Sequence, residues 1–347
     1  MRSLLRLLFT FIVIGGWLTL GYLFLSFYLE SPVRNEVKQI EIPPNSTLSE
    51  IGSILEKNQL IRADWPFRYY AWYKNMTNLK PGFYEIPPNE NLDAIMLRLR
   101  EGKQDTVKVT IPEGKTVPEI AEILAKAGFD KEAFLKEVNE RTPTYEFEKE
   151  IPDNPKRKYR LEGYLFPSTY EFKKGERPEK IVKAMLDQFA ERMNKMRIRE
   201  KLKERDMTVD EWVTFASIVE KEGQVKEEFP QISGVIHNRL DKGMKLEVDA
   251  TVIYAYLLQG EKKKRLFFKD LKINSPYNTY QNKGLPPAPI SCPSELALQS
   301  VINPAQHDYL YYVTKKDGTG GHYFSKTISE HEQNIKRSEQ NAKKGNQ

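Results

Sequence analysis

The longest apolar segment of the chain lies at its N-terminus. Residues 7–29 contain 23 consecutive positions without a charge. As a helix this segment would be about 34 Å long, enough to cross a hydrocarbon core of about 30 Å. The run is too long for the apolar part of a cleaved signal peptide, and a buried core helix is rarely apolar on every face. The pattern predicts a single transmembrane helix at 7–29 after a cytoplasmic stub at 1–6.

Basic residues before this span set its predicted orientation. Arg2 and Arg6 precede the span, and a short linker at 30–38 follows it. Because positively charged flanks stay in the cytoplasm, we expect a single-pass protein whose C-terminal body lies outside the cytoplasm. Nucleic acid is therefore not expected as a partner.

A ten-residue pattern occurs three times in the region 39–140. Each copy begins with Ile-Pro, returns to Ile at its tenth position and follows a segment of alternating polar and apolar residues. The copies are IPPNSTLSEI at 42–51, IPPNENLDAI at 86–95 and IPEGKTVPEI at 111–120. The pattern predicts a strand, a turn at Pro, Asn or Gly, and a helix capped by Thr or Asn. These modules resemble the LysM-like segments of wall-associated bacterial proteins; a spacer between membrane and body is the alternative.

Four aromatic residues are clustered between the first and second copies. They are Tyr69, Tyr70, Trp72 and Tyr73. Such a cluster could stack on sugar rings, but aromatic residues at this density are typical of a core. We expect them to be buried.

The rest of the chain predicts one larger domain. The segment 141–158 is polar, contains proline and lacks periodicity, so it is predicted to be a linker. A larger mixed α/β domain is expected at 159–335, followed by a polar tail at 336–347. The predicted fold class is α+β.

Two acidic residues end the most apolar helix pattern of this domain. In DEWVTFASIVEKEG at 210–223, Glu220 and Glu222 follow a broad apolar face. At about 100° per residue they point about 200° apart, so they cannot act together across one sugar. A carboxyl beside an apolar face can stay protonated and act as a general acid, whereas helix-end glutamates are usually solvated. Periodicity alone does not say which of the two would face a cleft.

The segments after this helix are rich in amides, hydroxyls and tyrosines. Amides and hydroxyls bond sugar hydroxyls, and tyrosine rings pack on pyranose rings, so the mixture suits a neutral carbohydrate. Ordered loops capped by Asn and Pro would have a similar composition.

Composition excludes several other classes of protein. The 347 residues include 54 Lys and Arg against 48 Asp and Glu, a formal charge of +6. The single cysteine, Cys292, excludes a disulfide framework and is expected to be a packed residue. The four histidines lack metal-ligand spacing, and phosphate-loop and dinucleotide motifs are missing from the sequence. No metal and no cofactor are expected.

Six motifs occur in order between residues 162 and 324. They are EGYLFPSTY at 162–170, ASIVEKE at 216–222, DATVIY at 249–254, YNTY at 277–280, GLPPAPI at 284–290 and GGHYF at 320–324. Together they resemble the YceG-like (MltG) family of endolytic murein transglycosylases. The resemblance covers the apolar span, the LysM-like region and the C-terminal domain.

The resemblance implies site residues. It assigns the catalytic acid and base to Glu220, the first glutamate of the EKE segment, and leaves Glu222 in a structural role. Nine residues are expected to bind substrate: Glu162, Tyr164, Asn238, Asp249, Tyr254, Tyr277, Asn278, Tyr280 and His322. The family commonly has D-P-T where this chain has D-A-T at 249–251, a departure that affects backbone stiffness more than chemistry.

The resemblance also implies a reaction and partners. Peptidoglycan strands alternate N-acetylglucosamine and N-acetylmuramic acid. The acid would protonate the oxygen that joins muramic acid to glucosamine, and the C6 hydroxyl would then close a 1,6-anhydro ring. The chain is expected in the bacterial cell membrane, beside cell-wall synthases. A non-catalytic wall-binding scaffold and a hydrolytic muramidase with Asp249 as second carboxylate are the alternatives.

Overall fold

The chain folds into two compact units of mixed α+β structure. This computed structural model describes residues 2–102 and 106–344. Residue 1 of the predicted stub, residues 103–105 of the repeat region and residues 345–347 of the tail lie outside the described residues. The first unit comprises 1–107 and 171–175, and the second 108–170 and 176–347. The α+β class is confirmed, whereas the LysM-like character of the repeats and the predicted domain boundaries stay predictions.

The first unit begins with a long apolar helix, α1 (Arg2–Leu29). Within it, Phe9–Tyr28 is long and apolar enough to cross a membrane, judged by length and composition, and none of its described residues is buried in the protein.

Short strands and helices follow α1 in the first unit. They are β1 (Lys38–Ile42), α2 (Leu48–Lys57), α3 (Trp65–Tyr73), β2 (Gly82–Ile86) and α4 (Leu92–Glu101). Strands β1 and β2 are antiparallel, with Ile40 opposite Tyr84. The alternation of the strands places Ile40, Ile42, Tyr84 and Ile86 against the apolar faces of the helices, and these residues form the core of the unit.

The three sequence repeats share one local structure. The fourth position of each copy has a left-handed backbone, and its residues are Asn45, Asn89 and Gly114, with φ of 63°, 57° and 71°. Asn and Gly tolerate this conformation best. Two positions later, a side chain caps the following helix; the caps are Thr47, Asn91 and Thr116. The predicted strand–turn–helix unit is therefore present in all three copies.

The third copy contributes its helix to the second unit. It consists of β3 (Thr106–Thr110) and α5 (Val117–Lys126), and β3 pairs with β4 (Thr169–Lys173). The same local pattern thus has a different strand partner from that of the first two copies.

The second unit is mostly helical. Its helices are α5, α6 (Lys131–Glu140), α7 (Glu146–Lys149), α8 (Pro178–Lys195), α9 (Ile198–Glu204), α10 (Val209–Glu222), α11 (Phe229–Asp241), α12 (Asp249–Leu258), α13 (Glu295–Ile302) and α14 (Ile328–Lys344). Two 3-10 turns cover Lys226–Glu228 and Asp270–Lys272, and a hairpin joins β5 (Tyr311–Thr314) to β6 (His322–Ser325). Helix α10 is the central element, since it packs on α11, α12 and α13.

The aromatic cluster of the first unit differs from its prediction. Helix α3 buries Phe67 and Ala71, while Tyr69, Trp72 and Tyr73 are 66%, 76% and 77% exposed. The prediction of a core position is wrong for these three residues. Their helix has aromatic residues on its buried face and on its exposed face. The number of aromatic residues in a segment does not show which face each residue occupies.

The C-terminal segment is helical as far as it is described. Helix α14 continues through 336–344 of the predicted polar tail, and its Ser338 is buried. The Asn341 side chain donates a hydrogen bond to the Lys315 carbonyl. The tail therefore packs on the hairpin of the second unit.

Candidate active site

Helix α10 carries both candidate acids at its C-terminal end. Its start is fixed by Thr208, whose hydroxyl accepts from the Glu211 backbone in a capping box. The helix ends at Glu222, and Gly223 leaves the helical conformation. Glu220 and Glu222 are both half-buried, but they have different partners.

Glu222 lies in a cluster of polar side chains from four segments of the chain. The Tyr312 hydroxyl donates to its carboxylate over 2.9 Å. Burial raises the pKa of Glu222 to about 7; hydrogen bonds from Tyr312 and from the Ala250 backbone oppose this shift, and the negative charge of Asp249 adds to it. Asp249 is exposed and accepts from the Tyr280 hydroxyl over 2.7 Å. We call Glu222, Asp249, Tyr280 and Tyr312 the Glu222 cluster.

Two threonines join the segments that carry Asp249 and Tyr280. The hydroxyls of Thr251 and Thr279 lie 2.9 Å apart. The Thr279 hydroxyl also accepts a hydrogen bond from the backbone N–H of Val248, the residue before Asp249. Asn278 is fully buried; its amide donates to two backbone carbonyls of its own loop and its oxygen accepts from the Tyr280 backbone. Asn278 therefore positions Tyr280 from within the fold.

Helix α11 secures the segment that leads to Tyr312. The Asn238 amide donates to the carbonyls of His307 and Tyr309 over 2.8 and 2.9 Å. The Arg239 guanidinium donates to the next carbonyl, that of Leu310. Asn238, expected to bind substrate, thus holds the entry to β5.

His322 contacts the Glu222 cluster through Tyr312. Its ring meets the Tyr312 ring edge-on, with centroids 5.5 Å apart. Its backbone N–H donates to both Glu228 carboxylate oxygens, and its Nδ1 lies 2.7 Å from one of them. His322 is buried and therefore supports Tyr312 from behind.

Glu220 points to a different neighbour, the start of α13. Its carboxylate accepts from the Ser294 backbone over 2.9 Å and from the Ser294 hydroxyl over 2.5 Å. The same hydroxyl caps α13 by accepting from the Ala297 backbone. Burial raises the pKa of Glu220, and both Ser294 hydrogen bonds oppose the rise. The carboxyl lies against Gly114, whose added Cβ would be 3.5 Å from the Glu220 Cγ.

Glu162 is a third carboxyl with a raised pKa, and it is fully buried. It accepts from the Val117 backbone at the start of α5 and from the Tyr254 hydroxyl. Burial raises the pKa of Glu162 to about 8. The rings of Tyr254 and Tyr277 are 5.1 Å apart in the same interior region.

Five of the predicted substrate-binding residues have internal roles instead of a sugar-facing surface. The Tyr164 hydroxyl donates to Asp210, which also forms an ion pair with Arg157. The five side chains are at most 3% exposed; they are Glu162, Tyr164, Tyr254, Tyr277 and Asn278. Of the predicted residues, the structure brings Asp249 and Tyr280 together beside Glu222.

Comparison with known proteins then identifies the family. The model of the YceG-like family matches residues 40–337. The chain belongs to the YceG-like family.

Three relatives show how far the likeness extends. The endolytic murein transglycosylase of Bacillus subtilis (strain 168) is 35% identical over 333 residues, which are 92% of this chain and 89% of the relative. That of Streptococcus pneumoniae (strain D39) is 34% identical over 91% of this chain and 62% of the relative. The crystal structure of a YceG-like protein from Listeria monocytogenes is 36% identical, with a TM-score of 0.58, and covers 86% of this chain and 99% of that one.

Sequence reasoning missed two residues that this YceG-like chain brings to its candidate acids. Ser294 follows the GLPPAPI motif, and its position before an apolar run signals a helix cap. Tyr312 lies 90 residues after Glu222, in the aromatic and aliphatic run YLYYV at 309–313 that precedes GGHYF. A short run of this composition indicates a strand, but nothing local indicates that the strand meets α10.

Proposed function

We propose that this chain is an endolytic murein transglycosylase, anchored in the bacterial cell membrane by α1 and acting on glycan strands outside the cytoplasm. The family match over 40–337 and two relatives that carry this enzyme name support the activity. The apolar span Phe9–Tyr28 supports the anchor. The predicted catalytic domain at 159–335 and the association with cell-wall synthases belong to the same proposal.

We assign the general acid to Glu222. A general acid works best when its pKa is close to the working pH, and burial raises the pKa of Glu222 to about 7. This carboxyl accepts from the Tyr312 hydroxyl and lies near the exposed Asp249, which accepts from the Tyr280 hydroxyl; carboxyl and hydroxyl groups of this kind suit a sugar. The convergence of these groups on one carboxyl carries the proposal.

Glu220 is the acid that the family resemblance implied, and it remains the rival. Two donors from a helix cap hold its carboxylate, and these donors favour the ionised form. Burial outweighs these donors and raises the pKa of Glu220, and the same hydrogen bonds give Glu220 a role in orienting α13. The two candidate acids lie on opposite flanks of α10, so identifying the acid also identifies the flank on which the substrate binds.

In the proposed cycle one group acts first as acid and then as base. Protonated Glu222 gives its proton to the oxygen between muramic acid and glucosamine, and the C1–O bond breaks. The Glu222 carboxylate then takes the proton of the muramic acid C6 hydroxyl, whose oxygen bonds to C1 and closes the 1,6-anhydro ring. The nucleophile belongs to the substrate, so no protein nucleophile and no water are consumed.

The test is an analysis of products. The full chain in detergent micelles is incubated with purified glycan strands, and the fragments are reduced with borohydride and weighed by mass spectrometry. Internal fragments that end in 1,6-anhydromuramic acid resist reduction, and Glu222→Gln should not produce them.

Each other outcome contradicts part of the proposal. Reducible muramic acid ends would make the chain a hydrolase, with Asp249 as the second carboxylate. Intact strands with a folded chain that still binds glycan would favour a non-catalytic scaffold.

A further inference from the structure

Helix α3 exposes a stripe of aromatic side chains. At about 100° per residue, Trp65, Tyr69, Trp72 and Tyr73 fall on one side of the helix. They are 41%, 66%, 76% and 77% exposed, while Phe67 on the opposite side is fully buried. We call these four residues the aromatic stripe. Exposed aromatic surface of this extent marks an interaction site.

The aromatic stripe begins beside the end of the apolar span of α1, in the same unit. The Trp65 ring lies 5.8 Å from the Tyr28 ring and 6.5 Å from the Phe24 ring, measured between centroids. The Arg62 guanidinium lies 4.0 Å above the centre of the Phe27 ring. These α1 residues occupy the last turns of Phe9–Tyr28. Helix α3 is therefore held at the level where the chain would leave a bilayer.

The composition of the aromatic stripe suits that level of a membrane. Tryptophan and tyrosine are enriched at the membrane–water interface, because their rings are apolar while their N–H and O–H groups reach water. Arg68 is exposed between Trp65 and Tyr69 along the chain, and basic side chains on such helices are attracted to anionic headgroups. A core or a sugar-binding role would explain the rings but not the contact of Trp65 with α1.

We propose that the aromatic stripe inserts into the interfacial layer of the bilayer that α1 crosses, as a second attachment of the first unit to the membrane. This inference rests on the proposed anchoring by α1. The occupant is the phospholipid surface, and the rings enter it by about 5–10 Å, the usual depth of interfacial helices.

Tryptophan fluorescence tests this proposal in the full chain. The four tryptophans are Trp17 in α1, Trp65, Trp72 and the buried Trp212. The chain is reconstituted into vesicles of phosphatidylcholine and phosphatidylglycerol that are unlabelled, brominated near the glycerol end of the acyl chains, or brominated near the chain ends, where Trp17 at the middle of the span would lie. Bromine quenches only nearby tryptophans, and Trp212 serves as an internal reference that its burial shields.

The variants separate the sources of emission. Trp17→Phe removes the emission of α1, so the proposal expects brominated lipid to remove most of the emission of Trp65 and Trp72 in this variant. Adding Trp65→Phe and Trp72→Phe should abolish the quenchable fraction. The replaced side chains are exposed and phenylalanine keeps an aromatic ring, so the fold of the unit is preserved.

The outcomes distinguish the inference from the anchoring on which it rests. Quenching of Trp17 in the parent chain by lipids brominated near the chain ends, without quenching of Trp17→Phe by lipids brominated near the glycerol end, would leave the anchor intact and overturn the inference. Failure to quench Trp17 by lipids brominated near the chain ends would reject the anchor itself. Protection of the stripe from acrylamide by glycan strands, without quenching by lipid, would make it a sugar-binding surface and also overturn the inference.

Discussion

Glu220 and Glu222 have the same side chain but lie on opposite flanks of α10, where they have different hydrogen-bond partners. On one flank, Glu220 receives two hydrogen bonds from Ser294, a residue whose hydroxyl also caps a helix. On the other, Glu222 receives one from the Tyr312 hydroxyl and one from a backbone N–H in the first turn of α12, and it lies near the charge of Asp249. Each carboxyl thus has two donors, and burial outweighs them and raises the pKa of both, to about 7 at Glu222. The flanks differ in what surrounds the carboxyl: Glu220 contacts the cap of α13, whereas Glu222 lies beside the exposed Asp249 and a tyrosine hydroxyl.

The largest expected effect comes from exchanging each carboxyl for an amide. Glu222→Gln removes the transferable proton and should lower cleavage by about 10²–10⁴-fold, the usual contribution of general acid–base catalysis. Glu220→Gln should keep most of the activity, because an amide oxygen can still accept from Ser294. Rates of glycan cleavage with matched amounts of folded enzyme measure both. The reverse ranking would move the acid to Glu220, as the family resemblance implies.

The pH dependence of cleavage sharpens the comparison. The acid must be protonated, so activity should fall as the pH rises through the pKa of Glu222, about 7. Tyr312→Phe removes a hydrogen bond that lowers this pKa, and should move the fall to higher pH. Asp249→Asn removes a charge that raises the pKa, and should move it to lower pH. Shifts in the same direction for both variants, measured from kcat/KM across pH, would contradict the assignment.

Glu162 has a raised pKa but is fully buried, so its protonation should affect the stability of the fold and not the cleavage of glycan. Burial raises the pKa of Glu162 from 4.5 to about 8, so the folded state holds a proton that the unfolded state releases between these values. The free energy of unfolding should therefore fall as the pH rises from about 4.5 to 8 and level off above it. Glu162→Gln should flatten this fall in chemical denaturation. It should leave the pH profile of cleavage in place, and a shifted profile would implicate Glu162 in the reaction.

The smallest effect is expected at the cap that holds Glu220. Ser294→Ala should cost about 1 kcal/mol of stability, because it removes the helix cap of α13. Cleavage measured well below the melting temperature should change little. Thr47→Ala, which removes the matched cap of α2, serves as the control. A large loss of activity in Ser294→Ala alone would show that the Glu220 flank takes part in catalysis.

Local features of the fold were predictable from the sequence, and distant pairings were not. The three repeats specify their own turns, since Asn45, Asn89 and Gly114 suit a left-handed backbone, and their caps follow two positions later. No local pattern indicates that the third copy pairs with β4. The exposure of the aromatic cluster is not predictable from composition, which gives only the number of rings, because exposure depends on which side of α3 each ring occupies.

The candidate site was predictable in part for the same reason. The helix pattern identified two carboxyls and their divergence, and the motifs at 249–254 and 277–280 supplied Asp249 and Tyr280. What separates the two carboxyls is a hydroxyl from β5 and a cap from α13, and both arrive through tertiary packing. Asn238, Asn278 and His322 were predicted near the site, and they support it through backbone and ring contacts.

The hydrogen bond between Tyr312 and Glu222 joins residues that are 90 positions apart. Because of this separation, the proposed acid gains all of its contacts only late in the synthesis of the chain. The ribosome delivers α10 before α12, the Tyr280 loop and β5, in that order. A chain interrupted before β5 would carry the glutamate without the hydroxyl that tunes it. The proton affinity of the proposed acid therefore reaches its final value only once nearly the whole chain has been synthesised.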